Sequence, residues 1–173
     1  MTIRGQHGKR HLYFHTVLVF AVIFTTALTA AGLSGDQTGK PKFEPGKHKF
    51  ELRLASYQKV EGWERVLGPE PQFTPLWLSP EAALANRDVA RAWPDWARDE
   101  HEPSVGILLT EDGALKLARL TKSHIGEFLA IMLDGRVVSV PKIMDEITGG
   151  RAMILGNFTE EEAGSIAEGI MMK

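Results

Sequence analysis

The residues able to do chemistry in this 173-residue chain are six histidines, 22 carboxylates and a few hydroxyls, because it has no cysteine. Without thiols there is no disulfide scaffold, thiolate zinc site, iron–sulfur cluster or cysteine nucleophile. His7, His11 and His15 recur every four residues and would share one face of a helix. They lie in an N-terminal leader and not on a scaffold that could present them to a metal, so no metal role is assigned. His48 and His101 fall in a linker and an acidic turn, at a spacing that matches no ligand motif. Ser123, His124 and Asp112 are the three residue types of a hydrolase triad. No strained Gly-x-Ser-x-Gly turn surrounds Ser123, however, and a histidine at a helix end has free carbonyls to meet. Glu160, Glu161 and Glu162 are accounted for as a charged first helical turn. Asp134 is the residue type that an Asp-Gly turn requires. Gly149-Gly150 precedes a strand and not a helix, so it is no phosphate loop. Asn157-Phe158-Thr159 fits a glycosylation acceptor, but a turn and helix cap suffice to explain it. The sequence thus designates no catalytic, cofactor-binding or metal-binding set.

Four tryptophans offer a different chemistry, that of binding. Trp77 is expected in the core. Trp93 and Trp96 flank Pro94-Asp95 and are the candidate partner-binding residues, since aromatic anchors are over-represented in binding surfaces. Packing under a loop is the competing reading.

The formal charge is −2, which gives no strong basic field for nucleic acid. That average joins two unlike parts. Residues 1–32 hold Arg4, Lys9 and Arg10 and no acid, whereas the other 141 hold 17 basic and all 22 acidic side chains. Thr16 to Ala31 reads TVLVFAVIFTTALTAA, and no charged residue falls between Arg10 and Asp36. A basic start before an apolar run is the pattern of a secretory signal or an uncleaved anchor. Small residues at Ala30-Ala31-Gly32 suit cleavage after Gly32, and the run is close to the length that spans a bilayer. Residues 1–32 are therefore read as a signal peptide or N-terminal membrane anchor, 33–49 as a linker and 50–173 as the folded domain. Either fate of the leader puts the domain outside the cytoplasm.

Within the domain, alternation predicts strands over Phe50 to Ala55 and Phe73 to Leu78, with Gly62 to Pro75 as a loop. Asn86 is expected to cap a short helix through Ala92, followed by a strand over Val105 to Leu109. Thr110 caps a helix over Glu111 to His124, with Ala114, Leu117, Ala118, Thr121 and Ile125 on one face and Gly126 past its end. Leu129 to Val140 reads as a hairpin turning at Asp134-Gly135. Its register puts Leu129, Ile131, Val138 and Val140 on one buried face, and Pro141 ends the second strand. Gly149-Gly150 turns into a strand over Ala152 to Leu155. Thr159 and Glu162 form a capping box, with Phe158 placed to staple onto Ala163. The last helix carries Ala163, Ile166, Ala167, Ile170 and Met171 as its apolar stripe. Mixed hairpins and helices give an α+β fold, an antiparallel or mixed sheet with helices packed on one face.

The stretch Val105 to Ile170, about two-fifths of the chain, resembles the head subdomain of the first large periplasmic domain of SecD and SecDF. These are accessory membrane proteins of the Sec export translocase. The pieces stand in the family's order: Leu109-Thr110-Glu111-Asp112-Gly113-Ala114, Leu133-Asp134-Gly135, Val138-Ser139-Val140-Pro141, Ile147-Thr148-Gly149-Gly150 and Gly156-Asn157-Phe158-Thr159. They are turns, caps and core positions, so they transfer architecture and not chemistry. SecD-type proteins carry several membrane helices, whereas this chain has at most one candidate. The resemblance therefore implies the head module used alone behind an export leader, without cofactor and non-enzymatic. It implies binding of polypeptide or an envelope protein partner in connection with export. The alternatives are a structural or sensory domain beside a membrane protein and, for want of a nucleophile or metal motif, less readily a hydrolase.

Overall fold

Alternation from Phe50 onward produces the strand that organises the molecule, β1 (Phe50–Ser56). The computed structural model describes residues 43–97 and 102–172. Strands β2 (Glu64–Leu67), β3 (Pro75–Leu78) and β4 (Leu84–Ala85) follow, then a 3-10 turn at Asn86–Asp88 and the long strands β5 (Val89–Ala97) and β6 (Glu102–Leu109). Helix α1 (Glu111–Ser123) precedes the hairpin β7 (Phe128–Leu133) and β8 (Arg136–Ser139). Strand β9 (Arg151–Ile154) and helix α2 (Glu160–Met171) complete the order. The fold is α+β, with two antiparallel sheets. One runs β2-β3-β1-β7-β8, with β4 also on β1, and the other runs β5-β6-β9.

The caps are where the sequence puts them. Thr110 Oγ1 accepts from Gly113 N at 3.1 Å. Glu162 N donates to Thr159 Oγ1 at 3.2 Å, and Thr159 N donates to Glu162 Oε2 at 2.8 Å, closing the capping box. Asp134 (φ 50°) and Gly135 (φ 78°) make the tight hairpin turn.

The hairpin register departs from expectation after two pairs. Leu133 faces Arg136 and Met132 faces Val137, but Ile131 faces Ser139 across a β-bulge. The extra residue turns Val140 to the opposite face from Val138. The continuous apolar run Leu129–Leu133 is buried along its whole length because β7 has a core on each side. Leu129, Ile131 and Leu133 join the main core, with Phe50, Ile107, Ile166 and Ile170. Ala130 and Met132 join a smaller one with Ala55, Leu76, Leu78 and Val137.

Four further expectations are corrected. Asn86 is not a cap but the first residue of a single 3-10 turn that ends at Asp88, and Val89 to Ala97 is extended because β6 pairs with it from end to end. Residues 64–67, expected in a loop, form β2 against β3. Trp77 is half-buried, since Leu76 and Leu78 take the inner face of β3 and strand alternation sends Trp77 to the other. Ile125 and Met171 are exposed, because α1 ends before Ile125 and Met171 is the last residue of α2. Among the described residues no helix is long and apolar enough to cross a membrane. The expected leader and the histidines His7, His11, His15 and His101 lie outside the described residues.

Candidate functional site

The larger sheet curls until its two edge strands, β2 and β8, line the same space. Strand β3 keeps only two residue pairs with β1, Ala55–Leu78 and Ser56–Trp77, and then diverges. The β2–β3 ribbon thereby swings round to face β8. Between the edges lies a cavity of about 450 Å³. Val66, Leu67 and Phe73 line one side, Arg136, Val137 and Val138 the other, and Phe158 lines it from the chain entering α2. Gly68 is required at the turn beyond β2, since a side chain there would press on the Thr74 carbonyl at 2.8 Å. Phe73 has a positive φ of 47°, an outlier for a bulky residue, and the residue is 47 % exposed. Leu67 is 59 % exposed. The site is an apolar cleft with one cation, Arg136, and one acid, Glu70, bounded by two strands that, among the described residues, each pair on one side only. A strand edge offers a row of backbone donors and acceptors. The cleft therefore suits an extended segment that brings both apolar side chains and a backbone.

The inner face of the curl also holds a charged pair. Arg53 Nη2 lies 3.3 Å from Glu51 Oε2, and Lys49 Nζ lies 2.9 Å from Glu51 Oε1. Burial pushes the Glu51 carboxyl up, but the Lys49 hydrogen bond and the Arg53 guanidinium outweigh it and hold it below the usual carboxylate range.

A second cluster is one the sequence reading missed. Residues Phe43 to Lys49, expected as linker, form a strap on the domain, with Phe43 and His48 buried. His48 Nδ1 donates to Asp134 Oδ2 at 2.8 Å, and His48 Nε2 lies 3.4 Å from Ser165 Oγ on α2. Ser165, His48 and Asp134 thus stand in the order of a hydrolase triad. They lack what the chemistry needs. Ser165 sits inside a regular helix, where backbone amides are committed to carbonyls four residues back. The amides of α2 on either side of it are thus not available to a developing oxyanion. The cluster acts instead as a clamp. Lys49 N donates to Asp134 Oδ1 and Asp134 N donates to Lys49 O, while His48 N donates to Gly169 O. Gly169 is needed there, because a β-carbon would collide with the Gly46 carbonyl and the His48 ring. Asn86 completes it, donating to His48 O at 2.7 Å and Ile170 O at 3.0 Å and accepting from Phe50 N. The one legible signal for the strap was Phe43, an apolar side chain in a polar stretch.

The other candidates are dispersed. Trp93 is half-buried, its indole laid against Gly106, its Nε1 donating to Asp95 at 3.1 Å and Arg91 stacked 5.7 Å from its ring. Trp96 is 43 % exposed, and strand alternation puts it on the opposite face of β5. The two therefore form no common surface. His124 Nδ1 pairs with Glu127 at 3.1 Å, while Asp112 is a helix length from it at the start of α1. Glu162 serves the capping box. Among the described residues, no three His, Asp or Glu side chains converge on a metal position.

A family profile described as SecDF, P1 head subdomain, matches residues 64–171. The protein translocase subunit SecD of Magnetococcus marinus is 40 % identical over 145 residues, covering 80 % of this chain and 27 % of that protein. The protein translocase subunit SecDF of Thermus thermophilus is 48 % identical over 65 residues, covering 38 % of this chain and 9 % of that one. Among solved structures, SecDF in a super-membrane-facing form superposes with a TM-score of 0.59 at 28 % identity, over 73 % of this chain and 19 % of that one. A structure described as a membrane component SecDF that enhances protein export gives 0.58 at 29 % identity, over 73 % of this chain and 63 % of that one. The chain spans 27 % and 29 % of the two curated relatives that it matches over 145 and 122 residues.

Proposed function

Because the chain belongs to the SecDF P1 head subdomain family, we propose that it is a non-enzymatic, extracytoplasmic module that holds an extended stretch of polypeptide in connection with protein export. The observation that carries this reading is the seam between β2 and β8. Two strand edges face one apolar cleft, and an added strand satisfies both with main-chain hydrogen bonds while its alternate side chains enter the cleft. The volume of about 450 Å³ takes a few side chains and not a folded domain. In this reading residues 1–32 carry the module out of the cytoplasm and are either removed or kept as a tether. Exposed Trp96 offers a further contact away from the cleft.

The test uses the full chain, with a photoreactive phenylalanine at Leu67 or Phe73 and, as control, at exposed Leu115 on α1. The probe is reduced, carboxymethylated α-lactalbumin, an unfolded chain. Adducts from 67 and 73 but not from 115 are expected. Equal labelling at all three positions, or none, sinks the cleft as a polypeptide site. In the cell envelope, adducts at 67 and 73 with one membrane protein alone would favour the structural or sensory role.

A further inference from the structure

The clamp and the cleft share a wall. Asp134, which the strap holds through His48 Nδ1 and Lys49 N, is the first residue of the turn whose next residues, Gly135 to Val138, line the cleft. At the strap's other end the Phe43 ring meets Phe158 edge-on at 5.8 Å, and Phe158 lines the cleft as well. Two of the parts that bound the cleft are thus backed by one seven-residue segment. Among the groups that hold that segment are His48, Lys49 and Asn86, the contact at Gly169 and the rings of Phe43 and Phe158. It is also the stretch through which the domain continues into residues 1–42.

We propose that the strap Phe43–Lys49 is a latch that regulates the cleft: seated, it fixes the β7–β8 turn and Phe158 in their binding positions, and released, it lets both relax. Seating and ligand binding are then two sides of one coupling. A ligand that prefers the seated cleft tightens the strap by the same factor by which releasing the strap weakens the ligand. A pull on, or docking of, the N-terminal segment would act on the cleft through His48 and Phe43 without touching the ligand. The affinity part of this inference rests on the cleft being the polypeptide site. The coupling of strap to wall does not.

Hydrogen exchange followed by mass spectrometry, on the full chain and on His48→Ala and Asn86→Ala, tests the coupling. Both substitutions release strap groups and leave every cleft-lining side chain in place. Exchange should rise at least about fivefold, the low end of ordinary couplings, in residues 43–50 and also in 134–138. It should stay unchanged in α1. The affinity for carboxymethylated α-lactalbumin should fall by a similar factor, and adding that probe to the wild type should slow exchange in the strap. Faster exchange in the strap with no change in 134–138 overturns the latch. If the wild type does not bind the probe, the polypeptide reading fails while the exchange result still decides the coupling. Should His48→Ala lose its cooperative melt, Phe43→Leu serves instead and is held to the same two outcomes.

Discussion

The two sheets bury themselves in different ways. The β5-β6-β9 sheet gives one face to α2 and the main core, with Val105, Ile107 and Ile154 inward and Met153 outward at 39 % exposure. The β2-β3-β1-β7-β8 sheet buries apolar side chains on both faces, and only one of these faces joins the core that the helices share. Its second face is covered by its own curl. A helix lies along a sheet and closes its flank. The curl stops short of closure, and the cleft is what remains between its edge strands β2 and β8. The binding feature is thus a by-product of how the second face was buried.

Neighbouring residues on β7 give the sharpest test of that contrast. Leu133 is fully buried in the main core and Met132 is 5 % exposed inside the curl. Leu133→Ala should cost about 4 kcal/mol, because a helix-backed core collapses little around a cavity. Met132→Ala should cost about 2 kcal/mol, since the curl can tighten at its open seam. Urea denaturation measures both, and equal losses would mean that the curl is as rigid as the main core. A smaller effect is expected at the helix that closes the other sheet. Thr159→Ala removes the oxygen that caps α2 and should lower stability by about 1 kcal/mol. If α2 is held by its buried stripe alone, the loss will be near zero. The smallest effect concerns the charged pair inside the curl. The folded-state carboxyl of Glu51 titrates below its ordinary value of 4.5, so its contribution is present above that pH and is lost as acid protonates it. The stability gap between wild type and Glu51→Gln should therefore be constant from pH 7 to about pH 5 and narrow below that. A gap that widens in acid would contradict the pairing.

Much of the region from Val105 onward was legible, and for a local reason. Thr110 and Thr159 cap helices through bonds within three residues, and Asp134-Gly135 turns a hairpin by its own dihedral angles. Such features need no distant partner. The errors fall where the partner is distant. Asn86 has the residue type of a cap, but its side chain is taken by His48 and Ile170, 38 and 84 residues away. Asp134 was correctly read as a turn residue, yet its carboxylate also holds a histidine 86 positions earlier. Val140 fell on the wrong face through a single bulge, which alternation cannot foresee.

By itself the sequence determined that cysteine chemistry is excluded, and it determined the helix ends, the hairpin turn and the family. Each follows from residue type or from order along the chain. Tertiary structure alone decided that the first sheet curls, that its edges face one cleft and that the supposed linker returns to clamp the wall of that cleft. Those features depend on contacts between residues far apart in sequence. Their energies come from burying two faces at once, and no local pattern records which second surface will do the burying.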